Sequence, residues 1–163
     1  MDQKNLGPKL TFQRADGTRF QIGVDALRIM RQYIQDESDK PEAGGVLLGR
    51  HLSTSDDVIV DLVTSPMEGD LQERYRFFRS RRRHQQALDS AWQESGGTCT
   101  YLGEWHTHPE RTPNPSFTDR IGWQRKLWLD RFTDPIFFVI VGIADICVWE
   151  GYRHAWPHSI PRV

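Results

Sequence analysis

Gly103-Glu104-Trp105-His106-Thr107-His108-Pro109, followed by a polar, proline-bearing segment that ends in Ser116-Phe117-Thr118-Asp119, organises the 163-residue chain. The run from Cys99 to Trp105 has strand composition, which puts His106 and His108 at a strand exit. Residues two apart in an extended chain point to the same side, so both imidazoles can reach one point. Pro109 stops the ladder and forces a turn. Pro113 and Pro115 hold the next segment out of regular structure until Ser116, where a helix begins with Asp119 in its first turn. Two neutral imidazoles and a carboxylate, with a fourth position open, form the ligand set of a catalytic zinc rather than of a closed structural one. A plainer reading stands beside it. Ser-x-x-Asp before an apolar run is also a helix capping box, with Ser116 capping and Asp119 reaching back, and the two roles are compatible.

Upstream, Lys9 to Ile22 alternates around Ala15-Asp16-Gly17, a hairpin signal. An apolar stripe through Leu27, Met30 and Ile34 predicts a helix from about Val24 to Gln35. Gly44-Gly45-Val46-Leu47-Leu48 reads as a buried strand whose paired glycines admit a close neighbour, and Val58 to Ser65 pairs back with it. Glu68 to Arg74 reads as loop, and Phe77 to about Gln93 as helix, stopped by Gly96-Gly97. Downstream, a helix is expected from Ser116 to about Arg131, then strands over Ile136 to Val141 and Ile146 to Glu150. The tail from Tyr152 to Val163 is expected to pack across the surface. This order implies one α/β domain over 1–163, a mixed and largely antiparallel sheet sandwiched by helices.

A zinc hydrolase with this ligand set needs a further carboxylate to move protons. Two candidates stand near. Glu42 precedes the glycine strand, where a solvated loop carboxylate is the ordinary expectation. Glu104 shares strand parity with His106 and His108. Parity favours Glu104, and spacing does not decide.

The set Glu42-x-Gly-Gly-x-Leu-Leu-Gly, His106-x-His108-Pro109 and Ser116-x-x-Asp119 resembles the JAMM (MPN-plus) metalloprotease family over roughly 20–151. The resemblance implies the MPN, cytidine deaminase-like fold and zinc held by His106, His108 and Asp119. It also implies Glu42 as general base and then acid, and Ser116 as a donor to the oxyanion. The segments Pro66 to Asp70 and Phe77 to Arg79 resemble bacterial stand-alone members found in anti-phage operons. Those members remove the C-terminus of a cGAS-like nucleotidyltransferase or ubiquitin-like protein from its conjugates. A RadC-like DNA-repair domain, which also carries the His and Ser-x-x-Asp motifs, and a metal-free MPN scaffold are the alternatives.

The formal net charge of −1 argues against a general nucleic-acid coat. Arg74, Arg76, Arg79, Arg81, Arg82 and Arg83 form a cluster that is either a solvated helix start or a docking patch for an acidic partner. The start of a helix is unfavourable for cations, which favours a partner. Cys99 and Cys147 lack metal or redox spacing and fit reduced thiols in a cytoplasm. Met1 to Asn5 lacks the layout of a signal peptide, and no apolar run is long enough to span a membrane.

Overall fold

A computed structural model describes residues 9–163, in which most of the strand-like runs join one eight-stranded sheet. The reading of Met1 to Asn5 lies outside these residues. Strands β1 (Leu10–Gln13) and β2 (Arg19–Ile22) form the first hairpin. Its turn places Gly17 at φ 88°, and the Asp16 carboxylate accepts from Thr18 N at 2.9 Å, an Asx-type closure. Helix α1 (Val24–Arg31) buries Ala26, Leu27 and Met30. Strands β3 (Gly44–His51) and β4 (Val58–Val63) follow, then a separate hairpin of β5 (Leu71–Glu73) and β6 (Arg76–Phe78). The remaining elements are α2 (Arg81–Glu94), β7 (Thr100–Thr107), α3 (Phe117–Leu129), β8 (Ile136–Val141), β9 (Ile146–Gly151) and β10 (His158–Ile160).

The sheet order is β1-β2-β4-β3-β7-β8-β9-β10. All its pairings are antiparallel except β2 with β4 and β7 with β8. Strand β8 explains the layering. Its residues are all buried and alternate in destination: Phe137, Val139 and Val141 join the core under α1, while Ile136, Phe138 and Ile140 pack on Trp123 and Leu127 of α3. A strand buried on both faces needs such a continuous apolar run. Helix α2 lays Leu88 and Ala91 against Val46, Leu48 and Cys99, so α2 and α3 share the face opposite α1.

Four expectations change. Helix α1 ends at Arg31 rather than Gln35. The Gln35 amide instead donates to Arg74 O at 2.8 Å and Lys40 O at 3.1 Å, tying the post-helix turn to the β5–β6 hairpin. The segment expected as loop forms β5, and Phe77 and Phe78 belong to β6, so α2 starts only at Arg81. The tail closes the sheet rather than lying across the surface. Beyond β10, Gln13 N donates to Pro161 O at 2.8 Å and Val163 N to Thr11 O at 3.0 Å, joining the last strand to the first. The buried Arg14 and Glu150 pair at 2.7 Å reinforces that closure. Among the described residues, no helix is long and apolar enough to cross a membrane.

Candidate metal centre

Strand β7 carries His106, His108 follows its last residue, and the neighbouring strands fix both. His106 lies opposite Gly44 of β3 and Ile140 of β8, and His108 N donates to Val141 O at 3.0 Å. Both rings turn to the face of α3, where His106 approaches Trp123 with centroids 6.4 Å apart. Trp105 takes the other face, buried in the α1-side core with its indole N–H donating to Thr64 O at 2.8 Å.

Asp119 is delivered by the start of α3. Ser116 is the N-cap, accepting from Asp119 N at 3.1 Å, while Ser116 N donates to the Asp119 carboxylate at 2.6 Å. The capping box is therefore real, and it also aims the Asp119 carboxylate at both imidazoles. Asp119 Oδ1 lies 3.2 Å from His106 Nε2, and Oδ2 lies 3.2 Å from His108 Nε2. The two Nε2 atoms are 3.1 Å apart. Two neutral imidazoles would need a proton between those nitrogens; a cation satisfies both at once. A tetrahedral ion with bonds of about 2.0–2.1 Å has donor separations of about 3.3 Å, so the three side chains fit a zinc-sized ion.

Glu42 completes the cluster. One carboxylate oxygen and one nitrogen from each of His106 and His108 lie within 4.8 Å of one another. The backbone at this position is pinned from two directions. Glu42 N donates to Glu73 O at 2.7 Å and the Gln72 amide reaches Glu42 O at 3.2 Å. Ala43 N donates to Thr107 Oγ1 at 3.0 Å, and Thr107 N returns a bond to Ala43 O at 2.8 Å. Glu104, the competing candidate, lines the same cavity as His106 but is held by Arg79 Nη1 at 3.0 Å.

The electrostatics follow from burial and charge. Burial pushes the Glu42 carboxyl above its ordinary value, opposed by His106 and His108 and assisted by Asp119. Burial acts against the ionised Asp119, yet hydrogen bonds to both imidazoles outweigh it and hold the group far below the usual carboxylate range. His108 is disfavoured as a cation by burial, but the bond to Asp119 and the charges of Asp119, Glu42 and Glu110 leave it raised.

Sequence reading passed over several residues that hold this centre. Gln35 and Thr107 are buried and bonded to each other at 2.9 Å. A side chain at Gly44 would put Cβ 2.7 Å from Phe77 Cδ1, so the hairpin seats its ring where that glycine has none. His84 sits between Thr64 Oγ1 at 2.6 Å and Asp70 Oδ2 at 2.8 Å. The order resembles a nucleophilic triad, but Thr64 Oγ1 also accepts from Val46 N at 2.8 Å and the His84 and Asp70 side chains are 1% and 0% exposed. No substrate reaches it; it is a structural clasp.

Residues 25–156 match the family described as prokaryotic homologues of the JAB domain. This chain belongs to that family. A Vibrio cholerae protein named CD-NTase/cGAS isopeptidase is 40% identical over 113 residues, 69% of this chain and 68% of its own length. A Pseudomonas aeruginosa protein of the same name is 38% identical, covering 77% of this chain and 78% of its own. Among solved structures, a Desulfitobacterium hafniense protein, DSY2949, aligns with a TM-score of 0.55 at 21% identity, over 82% of this chain and 83% of its own, which shows the shared fold. Membership of the JAB family, shown by the match over residues 25–156, makes this chain an enzyme of the metalloprotease class.

Proposed function

We propose that this chain is a zinc-dependent isopeptidase that releases the C-terminus of a cGAS-like nucleotidyltransferase, or of a ubiquitin-like protein, from lysine side chains of its targets. The convergence of Glu42 on His106, His108 and Asp119 carries the reading. Bacterial antiviral defence is the proposed setting, in line with the resemblance to stand-alone members of anti-phage operons, and the free thiols Cys99 and Cys147 suit a reducing cytoplasm.

An ion held by His106, His108 and Asp119 would supply Lewis acidity, polarising the scissile carbonyl and bringing the pKa of water at its open position toward neutrality. Glu42 takes a proton from the attacking water as the C–O bond forms, and delivers it to the lysine nitrogen as the C–N bond breaks. The products are a free carboxylate and a free amine. Burial moves the Glu42 pKa upward, the direction that lets one carboxyl act first as base and then as acid. Ser116 accepts from Asp119 N through its oxygen lone pair. Its O–H remains free to donate to the developing oxyanion. Among the described residues strand β6 has no strand partner on its outer side, and Phe77 and Phe78 line the cavity that Glu42 shares, so an extended tail can add there as a third strand.

The test is proteomics of the host carrying the wild-type chain or Glu42→Ala, searching for a C-terminal remnant on lysine. Accumulation of conjugates only with Glu42→Ala supports the reading and names the conjugated protein. Matching profiles while conjugation is active would overturn it.

A further inference from the structure

Two cavities meet at Glu42, Phe77, Phe78, Thr118 and Asp119. The first, about 390 Å³, runs to the hairpin turn at Arg74 and Tyr75 and includes Ser116. The second, about 430 Å³, passes His106 and runs between the start of α2 and the later turns of α3. It merges with a third cavity through Arg79, Arg81, Lys126, Leu129 and Asp130.

We propose that this second groove holds the leaving side of the substrate, the target protein around the scissile lysine, and selects acidic residues next to that lysine through Arg81, Arg82, Arg125 and Arg131. The inference rests on the isopeptidase reading.

The two sides of an isopeptide bond differ in shape. The acyl side is main chain and can pair with a strand edge; the leaving side is a thin aliphatic stem that broadens into a protein surface. Only the first cavity reaches past the hairpin to Arg74 and Tyr75, and it also contains the oxyanion donor Ser116. The leaving amine therefore takes the other groove.

Away from Glu42 and Asp119 at its inner end, the charge of that groove is one-sided once its internal pairs are removed. Glu104 is neutralised by Arg79 at 3.0 Å and Asp130 by Lys126 at 2.9 Å, while the Lys126 amine also lies 5.3 Å from the Tyr101 ring centroid. Arg81, Arg82, Arg125 and Arg131 are exposed, line the joined cavities and have no ion-pair partner among the described residues. Arg81 and Arg82 also stand in the first turn of α2, where no acidic residue offsets the positive end of the helix. The fold thus keeps unpaired cations at a place unfavourable to them, beside the reacting centre. Nucleic acid is disfavoured because the groove ends on the carboxylates of Glu42 and Asp119 and the chain carries a net charge of −1. An acidic polypeptide whose lysine enters the centre suits it.

The test is fluorescence anisotropy with zinc-loaded Glu42→Ala protein, which binds without turning over. The probes are labelled peptides with a central lysine acylated on its ε-nitrogen by glycylglycine, flanked by four Asp or Glu residues or by four Ser residues. A single-stranded oligonucleotide of equal charge is the third probe. The expected result is at least ten-fold tighter binding of the acidic peptide than of the serine peptide at low salt, shrinking in 0.5 M salt. Adding Arg81→Glu with Arg125→Glu abolishes the difference, whereas Arg31→Glu on α1 preserves it. Equal binding of the two peptides, a difference that survives the double reversal, or an oligonucleotide that binds as tightly as the acidic peptide would each overturn the proposal. If this binding pattern holds but the host accumulates no conjugates, the groove stands and the isopeptidase reading fails.

Discussion

Thr107 and Ala43 are bonded reciprocally: Thr107 N donates to Ala43 O at 2.8 Å, and Ala43 N donates to Thr107 Oγ1 at 3.0 Å. This pair lies one residue from each of His106, His108 and Glu42, so it sets the spacing between the proposed proton carrier and the proposed metal ligands. The Thr107 hydroxyl donates a hydrogen bond to Gln35 Oε1, and the Gln35 amide in turn donates to Arg74 O of the hairpin. Thr107→Val keeps the volume but leaves the buried Ala43 N–H and the Gln35 carbonyl unpaired, a cost of about 1–3 kcal/mol. We expect a lower melting temperature and cleavage of a fluorogenic isopeptide reduced at least ten-fold, with metal content by mass spectrometry unchanged. Full activity in Thr107→Val would mean that Glu42 is held by other contacts.

Ser116 has a capping role and a proposed catalytic one, and substitution separates them. Ser116→Ala removes the cap acceptor, costing about 0.5–2 kcal/mol, and also the hydroxyl donor, costing about 10²–10³ in kcat. Ser116→Asp restores the acceptor for Asp119 N but offers no proton at neutral pH. Its stability should return to near wild type while kcat stays low; Ser116→Thr should recover both. If Ser116→Asp restored turnover, Ser116 would be a cap and nothing more.

Gly44 lies against the hairpin. A Cβ there would meet Trp105 O at 2.5 Å and Phe77 Cδ1 at 2.7 Å. Backbone cannot yield as a side chain can, so Gly44→Ala should cost about 1–3 kcal/mol by overpacking. Adding Phe77→Ala should recover only part of it, measured by chemical denaturation as a double-mutant cycle. Complete recovery would show that the Trp105 carbonyl is not limiting.

The parts of the centre that a local pattern specifies were legible in the sequence. His106 and His108 follow from strand parity and Pro109, and Asp119 from the capping pattern begun at Ser116. The sheet was legible wherever apolar runs such as Ile136 to Val141 are buried on both faces. The β5–β6 hairpin was not, because its strands are three residues long, Leu71 and Phe78 are exposed, and the apolar pair Phe77-Phe78 reads as a helix start. What holds the hairpin is nonlocal: Phe77 on Gly44, and the Gln35 amide on Arg74 O. The choice between Glu42 and Glu104 was hidden for the same reason. Parity gave Glu104 the face of the two histidines, but Arg79, from the segment before α2, holds it, and only the fold brings Glu42, from the loop before β3, within reach of His106 and His108.

Asp70 closes the base of that hairpin, and its protonation should loosen it. One carboxylate accepts from Met67 N at 2.8 Å and Ser80 N at 2.7 Å, on either side of the two strands, and from His84 at 2.8 Å. Burial opposes the charged form, but these bonds outweigh it and hold Asp70 below the ordinary value. In the unfolded chain the group titrates near about 3.9. The folded value is the lower one, so the stabilisation is present above about pH 3.9 and is lost as pH falls through the folded value. Asp70→Asn can accept through only one oxygen. Its melting temperature should lie below that of wild type by a constant margin from about pH 8 to pH 5, and the margin should narrow below about pH 4. Repeating the comparison with His84→Gln in both chains isolates the carboxylate from its imidazole neighbour. A margin that stays constant into acid would show that the bonds to Met67 N and Ser80 N do not depend on charge.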